Sequence, residues 1–210
     1  MRNDLSEIVL VVDRSGSMDS CRTDAEGGIN NFIEEQKKVA GEANLTLGHF
    51  DTDYEFVHNG VRIGEVGHYT LVPRGWTALL DAVGRAIVEV GSRLEKMDEK
   101  DRPGCVVFVI VTDGHENSSK EFTRDQVRQK ITEQRDKYNW QFIFLGADES
   151  AFDEGKAMGI SMAAVAQYDT QKSSKAYVAT SRGVSKMRCC VADGQAASFA
   201  YSDEDRKNIV

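Results

Sequence analysis

Two stretches of this chain are uninterrupted apolar runs, and each leads into a turn that carries a carboxylate. Ile8 to Val12 stops at Asp13, and Cys105 to Val111 stops at Thr112-Asp113-Gly114. A strand with one wet face alternates apolar and polar side chains, whereas an unbroken run suits a strand covered on both faces. Both runs are therefore expected at the centre of a mostly parallel sheet. In an open sheet of this kind the carboxyl ends of the strands converge on a crevice where ligands bind. Asp13 and Asp113, distant in sequence, are expected to be neighbours there.

The rest of the pattern alternates accordingly. Ile29, Phe32, Ile33, Val39 and Ala40 recur at helical spacing through Asp24 to Glu42. Leu45 to Phe50 reads as a second strand, and Tyr54 to Val57 is expected to pair with Val61 to Ile63 across an Asn59-Gly60 hairpin turn at the sheet edge. Thr77 opens a helix with Leu80, Val83, Ile87, Val90 and Leu94 on one face, and Pro103-Gly104 closes the charged loop that follows it. Val127, Ile131, Gln134 and Tyr138 mark another helix. Trp140 to Leu145 is a strand, Ala151 to Met158 a short helix, and Met162 to Ala166 a weaker strand. A helix over Thr170 to Arg188 is expected to pack on the sheet through Tyr177, Val184 and Met187. Ser202 and Asp205 fit the cap of a last short turn, with a frayed end as the alternative. The fold class is α/β: an open, mostly parallel sheet with helices on both faces.

A length of 210 residues with 40% hydrophobic content suits one domain with a substantial core. The formal charge of −8 argues against a nucleic-acid partner, because phosphate backbones recruit a surplus of Lys and Arg. No stretch approaches the ~20 apolar residues of a membrane span, and the polar N-terminus runs directly into a strand, so a cytoplasmic protein is expected. Cys21, Cys105, Cys189 and Cys190 lack C-x-x-C spacing, which fits free thiols in a reducing compartment.

Asp13-Arg-Ser-Gly-Ser17 sets one carboxylate and two hydroxyls at alternate positions, with Gly16 allowing the backbone to bend around an ion. Carboxylates and hydroxyls without sulfur or imidazole form a hard-oxygen set that suits Mg²⁺, with Mn²⁺ or Ca²⁺ as substitutes. An octahedral shell of about six oxygens leaves room for water or an incoming carboxylate.

The D-x-S-x-S stretch at Asp13 to Ser17, the segment Gly75-Trp-Thr77-Ala-Leu-Leu-Asp81, and Thr112-Asp113-Gly114 together resemble the metal-ion-dependent adhesion site of the von Willebrand factor A family. The resemblance covers Leu5 to Tyr168. It implies a Rossmann-like sheet of strand order 3-2-1-4-5-6 with a short antiparallel edge strand. It also implies a cation surrounded by Asp13, Ser15, Ser17, Thr77 and Asp113, and a partner protein whose Glu or Asp completes the shell. Phe142 to Ala147 and the terminal Tyr-Ser-Asp-Glu-Asp-Arg stretch resemble small stand-alone members from bacteria and their phages. Residues 1–168 would then form the domain, and 169–210 a C-terminal extension with a packed helix and an acidic tail.

Plainer roles compete at several positions. Asp and Ser cap helices and build turns, which is the alternative for D-x-S-x-S taken alone. Asp81 is read as solvating its helix N-terminus, and Asp19 and Asp51 as turn residues or as hydrogen-bond partners of ligand hydroxyls. His115-Glu116 lacks the second imidazole of H-E-x-x-H and is read as solvated loop. Trp76 either anchors a partner or packs on a neighbouring loop. The leading functional reading is a metal-dependent protein-binding module and not an enzyme, since no base or nucleophile is argued into the site. A magnesium-dependent phosphatase of the haloacid dehalogenase type is the alternative, but its D-x-D-x-T motif needs an acid where Ser15 stands. A third reading is a homo-oligomer, in which Asp203, Glu204 or Asp205 of the tail fills the site of a neighbouring copy.

Overall fold

In a computed structural model of the chain, residues 1–147, 149–168 and 173–209 are described. The strands are β1 (Arg2–Asp13), β2 (Glu42–Phe50), β3 (Tyr54–Arg62), β4 (Pro103–Thr112), β5 (Gln141–Gly146) and β6 (Val165–Gln167). The helices are α1 (Arg22–Lys37), α2 (Leu79–Glu95), α3 (Arg124–Tyr138), α4 (Glu149–Ala157), α5 (Ser173–Ala192) and α6 (Asp203–Ile209). They build one six-stranded sheet in the order β3-β2-β1-β4-β5-β6, parallel throughout except for the β2–β3 pair. This is the order and polarity expected from the resemblance.

The two apolar runs lie side by side at the sheet centre, with Val12 opposite Val111. Every residue of both is buried, and that burial is the main driving force for the central strands. The polar residues Ser6 and Glu7 before the first run show how the two faces are covered. Successive strand residues point to opposite faces. Ser6 Oγ accepts from Arg188 Nε of α5 at 3.3 Å, whereas Glu7 Oε1 accepts from Arg93 Nη2 of α2 at 2.6 Å. The α1–α5 pair therefore covers one face and α2 the other.

The sheet edge differs from the pattern expected from sequence. Asn59-Gly60 is not a hairpin turn. β3 is one strand, turned back on β2 through residues 51–53, and Asn59-Gly60 lies within it. Leu45 pairs with Val61 but Leu47 with His58, so β3 carries an extra residue there. Gly60 takes φ +66° and its N–H reaches Thr46 Oγ1 at 3.0 Å. The same positive-φ chemistry that suits a two-residue turn also suits a bulge. β1 also begins at Arg2, earlier than its apolar run, with an irregular register between Arg2 and Ser6.

Beyond β6, α5 lies along α1. Tyr177 covers Gly28 so closely that a Cβ there would stand 2.1 Å from the ring. Gln36 Nε2 donates to Ser181 O and Oγ and to Ser185 Oγ, each at 2.9 Å. Arg188 Nη1 donates to Gln36 O at 2.8 Å. The expected start of this helix at Thr170 lies outside the described residues. The last turn is the helix α6, and Asp205 belongs to its cap, accepting from the N–H of Ser202 at 3.0 Å and from its hydroxyl at 2.6 Å. Asp205 also meets Arg182 of α5, while Asp203 and Glu204 face solvent.

Candidate metal centre

β1 and β4 end level with one another, which sets Asp13 beside Thr112 and leaves Asp113 as the first residue beyond β4. Thr112 Oγ1 donates to Asp13 Oδ2 at 2.6 Å, and the Ser15 N–H donates to Asp13 Oδ1, also at 2.6 Å. Ser15 Oγ lies 3.1 Å from Ser17 Oγ, and Ser17 Oγ donates to Asp113 Oδ1 at 2.7 Å. An unbroken polar chain thus crosses the edge of the sheet from Thr112 through Asp13, Ser15 and Ser17 to Asp113.

Thr77 enters from the loop before α2. Its N–H donates to Asn117 Oδ1 at 2.9 Å, and its carbonyl accepts from the Asn117 N–H at 3.0 Å. A methyl built on Gly114 would stand 3.7 Å from Ser17 Oγ and 3.9 Å from Thr77 Oγ1. Those two hydroxyls therefore flank the turn that follows Asp113. Asp13, Ser15 and Thr77 are buried, Asp113 is half-buried and Ser17 is exposed, so the site has a closed floor and an open side. Trp76, 68% exposed, stands next to Thr77 along the chain.

Burial pushes the Asp13 carboxyl up to about 6. The hydrogen bonds from Thr112 and Ser15 pull it back, and the negative charge of Asp113 adds to the rise. Two mutually repelling carboxylates beside three hydroxyl oxygens fit a hard divalent cation better than any soft metal. Among the described residues no three His, Cys, Asp or Glu side chains gather as a metal cluster. The candidate centre therefore depends on its hydroxyls as much as on its carboxylates.

Several neighbours take roles that differ from the sequence reading. Glu116 is not a solvated loop residue. Its Oε2 accepts from the Leu80 N–H at 2.9 Å, and its Oε1 accepts from the N–H groups of Ser118 and Ser119 at 2.9 and 2.7 Å. It thereby caps one unpaired amide in the first turn of α2 and two amides of its own loop. Asp81 is buried and ties down the following loop, accepting from the N–H groups of Lys120, Glu121 and Phe122 at 2.7 to 2.9 Å. Asp51 keeps the turn role, bonded to Arg74 and to the Asp53 N–H, and Asp19 is exposed. Thr112 and Asn117 were missed. Thr112 was legible as the residue paired across from the end of β1, whereas Asn117 carried no signal.

No protein-family model matches this sequence, and no curated protein does. Solved structures do. Proximal thread matrix protein 1 of the mussel byssus superposes with a TM-score of 0.64 at 17% identity, over 88% of this chain and 46% of that one. The same protein with a zinc-occupied MIDAS motif gives 0.60 at 17% identity, over 86% and 46%. A von Willebrand factor type A protein of Catenulispora acidiphila gives 0.52 at 16% identity, over 89% and 42%. The vWF domain of the type V pili tip protein Mfa5 of Porphyromonas gingivalis gives 0.59 at 11% identity, over 85% and 94%.

The chain is thus an open α/β domain with an acid-and-hydroxyl cluster at the carboxyl edge of its central strands. Its fold is that of a von Willebrand factor A domain. At these identities the likeness is one of fold, and the chain spans less than half the length of the byssus and Catenulispora chains.

Proposed function

We propose that the chain is a non-enzymatic protein-binding module. In this reading Asp13, Ser15, Ser17, Thr77 and Asp113 hold one divalent cation, Mg²⁺ first and Mn²⁺ or Ca²⁺ as substitutes, and a partner protein presents a Glu or Asp to it. The observation that carries the reading is the polar chain from Asp13 through Ser15 and Ser17 to Asp113, closed below and open to solvent at Ser17. A cation held there would supply positive charge and an open position for a carboxylate. The chain's own residues orient the oxygens. Thr112 fixes the rotamer of Asp13, Asn117 fixes the backbone of Thr77, and Glu116 and Asp81 brace the loop between Asp113 and α3.

Two of the similar structures support the direction of this reading. One is described as a thread matrix protein and the other as a pilus tip protein, and the matrix protein is described with zinc at its own adhesion site. Trp76, exposed beside Thr77, offers an aromatic contact at the rim.

Isothermal titration with Mg²⁺ tests the site, comparing wild type with Asp13→Ala. Saturable one-site binding in the wild type and its loss in the variant support the reading, and equal binding by both sinks it. Affinity capture in Mg²⁺ and in chelator then tests the partner. Proteins retained only by the wild type with Mg²⁺ are bound through the ion.

A further inference from the structure

The candidate ligands come from three loops, and a fourth, the β2–β3 turn, grips two of those loops through one side chain. Asp51 is 2% exposed. Its Oδ2 lies 2.8 Å from Arg14 Nε in an ion pair and accepts a 2.7 Å hydrogen bond from Arg74 Nε. Its Oδ1 accepts the Asp53 N–H at 2.8 Å, and its carbonyl accepts the Ala78 N–H at 2.8 Å.

Arg14 lies between Asp13 and Ser15 in the chain, while Arg74 and Ala78 bracket Thr77. Two backbone bonds join the same loops, Arg74 N–H to Arg14 O at 2.7 Å and Gly16 N–H to Gly75 O at 3.2 Å. Gly75, at φ +68°, lies against the carboxylate so closely that a Cβ would stand 3.2 Å from Asp51 Cβ. Arg14 is itself buried, with its Nη1 2.9 Å from Glu55 Oε2 and 2.6 Å from His49 Nε2. Its guanidinium is thus hemmed in by Asp51, Glu55 and His49.

We propose that Asp51 is a positioning residue that fixes the spacing between the Ser15 and Ser17 hydroxyls and that of Thr77, and so makes the site select a small cation over a large one. The proposal rests on the metal-binding reading above. Mg²⁺ requires near-ideal octahedral geometry at about 2.0–2.1 Å, whereas Ca²⁺ accepts irregular shells at about 2.3–2.6 Å. Loops clamped by one shared carboxylate favour the first ion, and releasing the clamp removes the preference.

The test is calorimetric titration of MgCl₂ and, separately, CaCl₂ into wild type, Asp51→Asn and Arg74→Ala. Asn keeps the size of the side chain and loses the charge that both guanidiniums face. Arg74→Ala removes only the half-exposed arm of the clamp and keeps the test alive if the buried change unfolds the chain. Asp51→Asn is expected to lose at least about tenfold in Mg²⁺ affinity and less than about threefold in Ca²⁺ affinity. Arg74→Ala is expected to shift the ratio in the same direction by a smaller factor. A purely structural residue would lower the thermal midpoint and leave the Mg²⁺/Ca²⁺ ratio unchanged, and that result overturns the assignment alone. A wild type that binds neither ion overturns the metal reading and the assignment with it.

Discussion

Ser17 and Asp113, 96 positions apart, share a 2.7 Å hydrogen bond across the mouth of the β1–β4 crevice. The bond joins the first loop of the domain to the turn after the fourth strand, at the exposed lip of the candidate centre. Neither residue is needed to fill the core, so removing either separates binding from folding.

Ser17→Ala should therefore leave stability within about 1 kcal/mol of wild type, as exposed polar truncations do. The same change should weaken Mg²⁺ binding about tenfold or more if its oxygen lies in or beside the metal shell. Urea unfolding and calorimetric titration on the same preparation check both halves. A large stability loss would mean that the serine is a structural cap.

Glu116 accepts the Leu80 amide in the first turn of α2 and two amides of its own loop. Glu116→Ala should cost about 1–2 kcal/mol, the scale of a lost helix cap. Hydrogen exchange should locate the effect in the first turn of α2 and residues 116–122, and uniform faster exchange across the sheet would contradict this role.

Gly28 lies under the Tyr177 ring, where a Cβ would meet Cδ2 at 2.1 Å. Ala for Gly inside a helix ordinarily gains about 1 kcal/mol, while forcing a methyl into a packed contact costs about 1–3 kcal/mol. Gly28→Ala should thus be destabilising on balance. A stabilised variant in denaturant unfolding would show that α5 does not hold tightly to α1.

Burial raises the Asp51 carboxyl, but the Arg74 hydrogen bond, the Asp53 amide and the charges of Arg14 and Arg74 outweigh it, so its pKa lies below the ordinary value of 3.8. A carboxylate depressed in the folded state contributes stability that is present above the unfolded pKa and lost as pH falls through the folded one. Urea midpoints measured from pH 6 down to pH 3 should fall less steeply for Asp51→Asn than for wild type. Parallel curves would place the acid sensitivity elsewhere.

Much of the architecture was legible because burial writes itself into β1 and β4 as continuous apolar runs, and because a carboxylate follows each run. Strand order and the meeting of Asp13 with Asp113 came from that pattern and the family resemblance. The errors have one physical origin, which is that a local signal can serve two structures. Asn59-Gly60 offers positive φ, and the bulge uses it as readily as a turn would. Glu116 looks like a solvent-facing charge, and Asp81 like one that serves its own helix N-terminus, until the fold brings loop amides to them. The Arg14–Asp51–Arg74 clamp had no sequence signature, because its members sit on three separate segments and only the folded chain gathers them.

The most direct test is a crystal soaked in MnCl₂ and measured at the manganese edge. A single anomalous peak within reach of Asp13, Ser15, Ser17, Thr77 and Asp113, directly or through one water, is the predicted result. Manganese bound only elsewhere, or Asp13 and Asp113 lying too far apart to share one ion, would contradict the account.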